Sequence, residues 1–197
     1  MTDNQIPFAD DQRLDVGAHV CAIHDDPDRV LRTLGLVFRA GLDRGERCAY
    51  AASEEAAGKV RRIMEDAGVD VSLAESGGGL MFLTDRDAIL KDGNEFDPDH
   101  TLEAIKGLLG ETLEAGYAGL RFSADIPWLT RNVPGAERVM EFEAKADEVI
   151  NVPGVPLLAL CQYNLREVAP EDTMEILERH PLTLIGGRVH VNEGYTR

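Results

Sequence analysis

Residues 18–45 read AHVCAIHDDPDRVLRTLGLVFRAGLDRG, a short apolar run followed directly by a segment with helical spacing. The run over 18–23 has the length of a β-strand and lacks polar alternation, as is typical of a strand buried on both faces. Asp26 is a favoured helix N-cap, Pro27 suits the first helical position, and Gly45 follows the end of the predicted helix. This pair predicts the first strand and helix of a parallel α/β sheet.

The strand–helix alternation continues along most of the chain. Four more apolar runs predict strands, over residues 47–52, 80–84, 119–125 and 155–163. Further helices are predicted after Ser53, from Asp97 and Pro98, over 134–150 and over 171–179. Gly186 and Gly187 separate two apolar runs and predict an antiparallel β-hairpin. The chain is therefore expected to form an α/β fold, a three-layer, mostly parallel sheet flanked by helices with a C-terminal β-hairpin at one edge.

Length and charge limit the classes of function. The chain has 197 residues and a formal net charge of −16. We expect one domain over 16–197, and the acidic residues 1–15 predict a disordered tail. A field of this sign repels nucleic-acid phosphates and anionic lipid, so direct binding to nucleic acid or membrane is not expected. The chain shows no signal-peptide core and no apolar run of about 20 residues, which favours a cytoplasmic protein.

The loop after the first predicted strand is where this architecture commonly binds nucleotide phosphates. A P-loop needs glycines, whose backbone amides turn toward phosphate, and a lysine that neutralises it. The loop here reads HDDPDRV, without glycine or lysine. Asp25, Asp26 and Asp28 place carboxylates where phosphate would bind, and Pro27 lacks an amide donor. Phosphate binding at this place is therefore not expected.

One carboxylate lies on the apolar face of the helix predicted over 134–150. That face is defined by apolar residues at helical spacing, namely Ala136, Val139, Phe142, Ala146 and Ile150. Glu143 falls within it and is expected to point into the core, where it needs hydrogen bonds or a cation. Our first candidate partner is Arg121 on the fourth predicted strand, in a structural salt bridge. A functional carboxylate with a raised pKa is the alternative.

The cysteines and histidines form few of the sequence patterns that indicate a metal site or a catalytic nucleophile. Cys21, Cys48 and Cys161 lie far apart inside apolar runs, which favours buried reduced thiols over disulfides. His19 and Cys21 share one strand face, and with His24 and Cys161 they could form a metal site, but the close paired spacing of zinc sites is missing. We therefore expect no metal and no cofactor, with His19 bonded to backbone groups. A Cys161–His24 nucleophilic pair is disfavoured because no cation near Cys161 in the sequence lowers the thiol pKa.

Six short motifs, taken in order, resemble one family. They read GAHVCAIHDD, LKDGNEFDPDHTL, GYAGLRFSADIPW, ERVMEFEAKADEVI, LALCQY and ERHPLTLIGGRVHVNEGY. Over residues 16–197 the chain resembles the MEDS (methanogen/methylotroph, dichloromethane-regulator-like) sensory domain family. The resemblance implies a RecA-like core with a degenerate P-loop. It also implies the sensing of a signal such as a hydrocarbon derivative, rather than catalysis.

The resemblance also marks individual residues. The family's recurring positions fall on His19, Asp125, Trp128, Glu143, Cys161, Gln162, Tyr163 and His180. His24 departs from the family pattern, which usually has an aromatic residue there. We see no DNA-binding helix-turn-helix or kinase-type domain in this sequence, so the output is expected to pass through a partner protein.

A ligand pocket is predicted at the carboxyl edge of the sheet, where open parallel sheets bind ligands. If the first predicted strand lies between the fourth and the fifth, as in RecA-like sheets, His24, Asp125, Trp128 and Tyr163 converge there. Two aromatic walls and a few polar groups suit a small neutral ligand. The alternative is that Trp128 fills the site. Residues 85–97, the one long loop-like stretch in the predicted domain, are a candidate lid.

Three functions remain open. The favoured one is a non-catalytic, stand-alone sensory domain that binds a small apolar or one-carbon-type ligand and acts through a partner regulatory protein in transcriptional or stress regulation. Its predicted ligand-binding residues are His24, Asp125, Trp128, Glu143, Cys161 and Tyr163. The alternatives are a protein-interaction module with an empty nucleotide-fold site, and an enzyme that uses Glu143, His24 and Cys161. A homodimer is one of the oligomeric states left open.

Overall fold

The computed structural model describes residues 5–9, 12–86 and 89–196. Its strands are β1 (Gln5–Pro7), β2 (Arg13–Asp15), β3 (Ala18–His24), β4 (Arg47–Ala51), β5 (Leu80–Leu83), β6 (Leu120–Asp125), β7 (Leu157–Asn164), β8 (Leu182–Ile185) and β9 (Arg188–Val191). Its helices are α1 (Pro27–Leu42), α2 (Glu54–Asp66), α3 (Val71–Ser76), α4 (Pro98–Glu114), α5 (Ile126–Thr130), α6 (Val139–Ile150) and α7 (Pro170–Glu178), with a short 3-10 helix over Ala136–Arg138. In the described residues, no helix has both the length and the apolarity that a membrane crossing requires.

Seven strands form one sheet in the order β5-β4-β6-β7-β3-β8-β9. Neighbouring strands are parallel except for β8 and β9, which confirms the mostly parallel sheet with a hairpin at its edge. The expected position of β3 is wrong. This strand lies between β7 and β8, and not between β6 and β7, because β6 and β7 pair directly with each other.

Helices cover both faces of the sheet and enclose two apolar cores. Helices α1, α2 and α3 pack on one side, which we call the α1–α3 face. Helices α4 to α7 pack on the other, which we call the α4–α7 face. In β3, Val20 and Ala22 belong to the core of the α1–α3 face and Cys21 to that of the α4–α7 face, as the alternation of a strand requires.

Most helices begin where the sequence predicts. Asp26, Ser53 and Asp97 cap α1, α2 and α4 by accepting hydrogen bonds from backbone amides of the first turn. The helix predicted over 134–150 begins later than expected. Gly135 has a φ of +85°, which a right-handed helix excludes, so a 3-10 turn and then α6 follow it.

Two short helices, α3 and α5, are not predicted from the sequence. They have 6 and 5 residues, too few for an apolar periodicity to be recognised. Trp128, which is expected in a loop, lies on α5. The chain therefore turns back over the carboxyl edge of the sheet immediately after β6, where it covers part of the α4–α7 face.

The described part of the expected N-terminal tail is ordered. Strands β1 and β2 pair in an antiparallel sheet, and Phe8 is fully buried in the core of the α1–α3 face. The guanidinium of Arg121 donates hydrogen bonds to the carbonyl oxygens of Pro7 and Phe8, at 2.7 and 3.4 Å. Burial of an aromatic ring and these bonds offset the entropy of ordering the segment. Residues 1–4, 10 and 11 lie outside the described residues.

Candidate functional site

Strand alternation brings three polar side chains to the α4–α7 face of the sheet. Strands β3 and β7 pair with Cys21 opposite Cys161, so the odd-numbered residues of both strands share one face. His19, Cys161 and Tyr163 lie there and are buried. Helix α6 packs across this face and presents Glu143, which is fully buried as its helical position predicts.

Glu143 lies at the centre of this group, and both of its carboxylate oxygens have neighbours. Its Oε1 accepts a hydrogen bond from the Tyr163 hydroxyl. Its Oε2 lies 3.4 Å from His19 Nε2, 3.3 Å from His180 Nε2 and 3.6 Å from the Cys161 thiol, which donates to it. His180 comes from the segment between α7 and β8. We call His19, Glu143, Cys161 and His180 the Glu143 cluster.

The two histidines are oriented by partners of their other ring nitrogen. His19 Nδ1 lies 3.2 Å from Asp147 Oδ1, and His180 Nδ1 lies 2.7 Å from the carbonyl oxygen of Ile176. Because both partners only accept hydrogen bonds, we assign a proton to each Nδ1. Each Nε2 therefore faces the Glu143 cluster. Among the described residues, His180 Nε2 makes no hydrogen bond although it is buried.

Burial and charge act against each other within the cluster. Burial alone raises the pKa of Glu143, but the charges of His180 and His19, whose Nε2 atoms lie 3.3 and 3.4 Å from Oε2, outweigh burial and hold that pKa far below its ordinary value. Burial lowers the pKa of His19, yet its bonds to Asp147 and Glu143 reverse the shift and raise it. Burial, and then the charge of Glu143, raise the pKa of the Cys161 thiol well above its usual range. An ionised carboxylate therefore lies beside a neutral thiol.

Arg121 is not the partner of Glu143, and that expectation is wrong. It pairs in register with Leu158, which belongs to the core of the α1–α3 face, so its side chain points away from α6. There its Nε lies 2.5 Å from a Glu46 carboxylate oxygen, and another guanidinium nitrogen donates to the carbonyl oxygen of Val37. The two buried carboxylates of Glu46 and Glu143 thus lie on opposite faces of the sheet with separate partners.

A cavity of about 360 Å³ adjoins the Glu143 cluster, between the sheet and helices α4, α5 and α6. Its wall is largely apolar and includes the aromatic residues Phe122 and Phe142 of the α4–α7 face. Cys161 belongs both to this wall and to the cluster. The cavity and the cluster are therefore neighbours on the same face of the sheet.

Few polar groups interrupt the wall of this cavity. Thr101 of α4 lines it, and its hydroxyl is buried without a hydrogen-bond partner among the described residues. Asp85 and Ile89 also line it. Both belong to the candidate lid over 85–97, of which residues 87 and 88 lie outside the described residues. The lid segment thus forms part of the cavity wall.

Two of the four residues predicted to share one pocket line different cavities. His24 lines a cavity on the α1–α3 face beside Gly186 of the hairpin turn, and burial lowers its pKa. Tyr163 lines a cavity bounded by α5, α6 and α7. The reason is strand alternation: Tyr163 pairs with Ile23, and His24, one position on, points to the other face.

Asp125 and Trp128 stay close to each other. The Asp125 carboxylate accepts a hydrogen bond from the Trp128 amide at 3.1 Å and so caps α5. Burial raises the pKa of Asp125. Trp128 is half-buried and packs against the core of the α4–α7 face without filling the 360 Å³ cavity. Of the six predicted ligand-binding residues, the structure brings Glu143, Cys161 and Tyr163 into contact.

Spacing along the chain does not identify His180, Asp147 and Thr101 as site residues. His180 precedes a proline after α7 and is typical of a turn residue; only the family resemblance marks it. Asp147 follows Glu143 by four positions, which places both on one side of α6 and is a usable signal. Thr101 precedes Ile105 by four positions on α4, so its inward position could be predicted from the same periodicity.

Similarity to known proteins is found at the level of family and of fold. The family model described as MEDS, the methanogen/methylotroph, DcmR sensory domain, matches residues 18–181. The chain is also similar to the transcriptional repressor DcmR of Methylorubrum extorquens, with 23% identity over 162 residues and 82% of this chain covered. The chain spans only 57% of the length of that repressor.

Two solved structures share the fold. One is a KaiC-like protein from Pyrococcus horikoshii OT3, with a TM-score of 0.57 and 16% identity over 86% of this chain and 71% of that protein. The other is the flagellar accessory protein FlaH from Methanocaldococcus jannaschii, with a TM-score of 0.55 and 13% identity over 88% of this chain and 75% of that protein. Both confirm the expected RecA-like sheet flanked by helices, and at such identities the likeness concerns the fold alone.

Proposed function

Since the chain belongs to the MEDS family of sensory domains, we propose that it is a non-catalytic sensory domain that binds a small, largely apolar molecule. The ligand occupies the cavity between the sheet and helices α4, α5 and α6. Binding is passed to a partner regulatory protein in the cytoplasm. The similarity to a transcriptional repressor supports a regulatory sensory role.

The observation that carries this proposal is the cavity itself. Its volume of about 360 Å³ lies at the lower end of the range for small-molecule sites, about 300–1,000 Å³. Its apolar wall favours a ligand without charge, since an unpaired charge is costly to bury. The unpartnered Thr101 hydroxyl offers one hydrogen bond. A small neutral molecule with one polar group therefore fits this site better than a nucleotide.

The cavity also places a bound ligand beside the candidate lid. Asp85 and Ile89 of the candidate lid line the cavity together with residues of three helices. Ala104 lines it as well, although its side chain is exposed, which places an opening beside α4. A ligand that enters there contacts the lid segment directly. We infer that a change in the cavity wall at Asp85 and Ile89 is what a partner recognises.

The ligand class is testable by thermal unfolding with small probes. A molecule that binds only the folded state stabilises it, by about 2.7 kcal/mol at a hundredfold excess over Kd. We expect benzene, halomethanes or short alcohols to raise Tm and to change the fluorescence of Trp128, the one tryptophan of the chain. Acetate and ammonium serve as charged controls. If no neutral probe shifts Tm at saturation, the interaction-module alternative is favoured instead.

Matched substitutions on α4 locate the binding. Ala104→Phe places a ring at the opening of the cavity and should weaken or abolish the Tm shift, whereas Ala115→Phe at the exposed end of α4 should preserve it. Thr101→Val removes the free hydroxyl at nearly constant volume and should weaken the binding of alcohols but not of benzene. Thr112→Val is its control, because Thr112 is also buried but bonds within its helix. Equal probe affinities in all four variants would place the ligand elsewhere.

A further inference from the structure

A second type of site lies beside the cavity. His19 on β3, Glu143 on α6, Cys161 on β7 and His180 before β8 are all buried, and they come from four different parts of the chain. Their ligand-type atoms, two Nε2, one Oε2 and one Sγ, all lie within 4.8 Å of one another. From this convergence we propose that the Glu143 cluster binds one divalent cation of the zinc type.

Four of the six distances between the ligand atoms match the edges of a zinc tetrahedron. Zinc bonds of about 2.0–2.1 Å to nitrogen or oxygen and about 2.3 Å to sulfur imply edges of about 3.3 Å between N or O ligand atoms and about 3.6 Å from sulfur to N or O. Glu143 Oε2 lies 3.4 and 3.3 Å from the Nε2 atoms of His19 and His180. Cys161 Sγ lies 3.5 Å from His19 Nε2 and 3.6 Å from Glu143 Oε2. Four of the six edges thus already have ligand spacing, and the remaining two, both from His180 Nε2, lie within 4.8 Å.

The hydrogen bonds around the cluster follow the pattern of metal-ligating histidines. In metal sites the second ring nitrogen usually donates to a carboxylate or a carbonyl, which fixes the tautomer. His19 Nδ1 has Asp147 as that partner, and His180 Nδ1 has the carbonyl of Ile176. With a metal bound, this tautomer presents the lone pair of each Nε2 to the ion. His180 Nε2 is buried and makes no hydrogen bond among the described residues, although the Glu143 carboxylate lies 3.3 Å away. A metal ion supplies the missing partner.

The donor set selects the class of metal. Two imidazoles, a carboxylate and the thiolate that forms when the metal displaces the Cys161 proton to solvent are typical of zinc, whereas magnesium and calcium require oxygen ligands. Four protein ligands close the coordination sphere, as in structural zinc sites, and leave no position for a catalytic water. The ion would join β3, β7, α6 and the segment before β8. This inference does not depend on what occupies the apolar cavity.

Cobalt titration of the full chain provides the test. The protein is stripped with a chelator and titrated with Co²⁺ and then with Zn²⁺. We expect saturation at one equivalent, visible absorption of tetrahedral cobalt, and a thiolate-to-cobalt charge-transfer band that zinc displaces. The chain has three cysteines, so the double variant Cys21→Ser with Cys48→Ser retains Cys161 as its one thiol and should keep the band. Loss of the band in that variant, or failure of wild type to bind either metal, would overturn the proposal.

Single substitutions measure how much each residue contributes to zinc affinity. Cys161→Ser and His180→Asn should each lower zinc affinity by at least about 100-fold, beyond the range for outer-sphere changes. Asp147→Asn should cost about 10–100-fold as an outer-sphere change. Cys21→Ser is the matched control, because Cys21 is buried in register with Cys161 yet supplies no ligand atom. Zinc affinity unchanged in Cys161→Ser contradicts the site. If that variant does not fold, the double variant above decides the outcome.

Discussion

At the scale of single residues, Glu143 and Glu141 offer a clean contrast because both lie on α6. Glu143 is buried and contacts two histidines, a thiol and a tyrosine, whereas Glu141 is exposed and pairs with Arg138 and Lys145 on the surface. Removing one partner from a buried charged group leaves the others uncompensated and costs about 3–5 kcal/mol. Surface ion pairs contribute little.

We therefore expect Glu143→Ala to lower the free energy of unfolding by about 3–5 kcal/mol, and Glu141→Ala to change it little. Urea denaturation with chelator present measures both variants without a contribution from bound metal. The comparison checks the inward orientation of Glu143 as well as its contacts. Equal midpoints for the two variants would contradict the contacts described for the Glu143 cluster.

Arg121 is the second residue whose buried partners make a prediction. Its guanidinium is paired with Glu46 and bonds to three backbone carbonyl oxygens, two of them in the N-terminal segment. Arg121→Met keeps much of the side-chain volume but leaves Glu46 with Arg44 as its one remaining cation among the described residues, at 2.9 Å and more exposed. Because a buried ion pair is broken, we expect a loss of up to about 3–5 kcal/mol. Residues 5–9 should also become accessible to proteases.

Arg32 on α1 is exposed, so Arg32→Met is the control for this substitution. It should leave the free energy of unfolding and the protease resistance of residues 5–9 near wild type. Urea denaturation and limited proteolysis followed by mass spectrometry read out the two effects. An Arg121→Met protein with wild-type stability would mean that Arg44 alone compensates the Glu46 carboxylate. Wild-type stability combined with rapid N-terminal cleavage would show that Arg121 holds the segment without supporting the core.

At the scale of elements, Gly135 links the candidate lid to α6. It has a φ of +85°, and a Cβ at this position would lie 2.1 Å from the carbonyl oxygen of Phe96. Phe96 is fully buried at the end of the lid, and its amide donates to the carbonyl of Pro134. A side chain at Gly135 would therefore be strained in its backbone and would push the lid away.

We expect Gly135→Ala to destabilise the protein by about 1–3 kcal/mol and to speed proteolysis within residues 85–97. Gly154→Ala is the matched control, since Gly154 also has a positive φ but a Cβ there meets no atom within 4 Å. The control should therefore report the backbone strain alone. If the two variants lose the same stability and are cut equally fast in the lid, the contact between Gly135 and Phe96 does not hold the lid.

The long elements could be predicted from the sequence because they carry strong local signals. The β3 run, the Asp26-Pro27 cap and the Gly186-Gly187 turn each satisfy a local rule, and each element lies where it is expected. The order of strands depends on non-local pairing, which no short segment encodes, and the expected place of β3 is accordingly wrong. The short helix α5 is missed because five residues show no periodicity.

Of the site, the sequence predicts only which residues of a helix or strand share one face. The inward position of Glu143 and the shared face of Cys161 and Tyr163 follow from periods of 3.6 and 2, and the structure agrees. The predicted partner of Glu143 failed because periodicity cannot tell which face of the sheet Arg121 points to. His180 comes from a segment far along the chain, and its contact with Glu143 depends on the packing of α7 and β8. Such long-range contacts explain why the cluster was not predicted from spacing.

At the scale of the whole molecule, the fold is shared with a KaiC-like protein and FlaH. Sheets of this kind commonly bind phosphate in the loop after a strand, at the start of the following helix. In this chain a carboxylate occupies that place at the start of α1. The Asp26 carboxylate accepts hydrogen bonds from the amides of Asp28 and Arg29 at the start of α1. These are the donors that a phosphate would need. Pro27 has no amide proton to offer, and a net charge of −16 adds long-range repulsion.

We therefore expect that the protein neither binds nor hydrolyses ATP or GTP. Millimolar nucleotide with magnesium should leave Tm unchanged, because a ligand stabilises the folded state only if it binds there. Phosphate release should not exceed that of a Glu143→Gln control, since Glu143 pairs with two histidines on the face of the sheet opposite α1. Asp26→Gly frees the amides of Asp28 and Arg29 and so tests whether the carboxylate is what excludes phosphate. If it is, weak nucleotide binding should appear in this variant and not in wild type. Magnesium-dependent hydrolysis by wild type that survives repeated chromatography would show instead that the RecA-like fold keeps a nucleotide site in this chain.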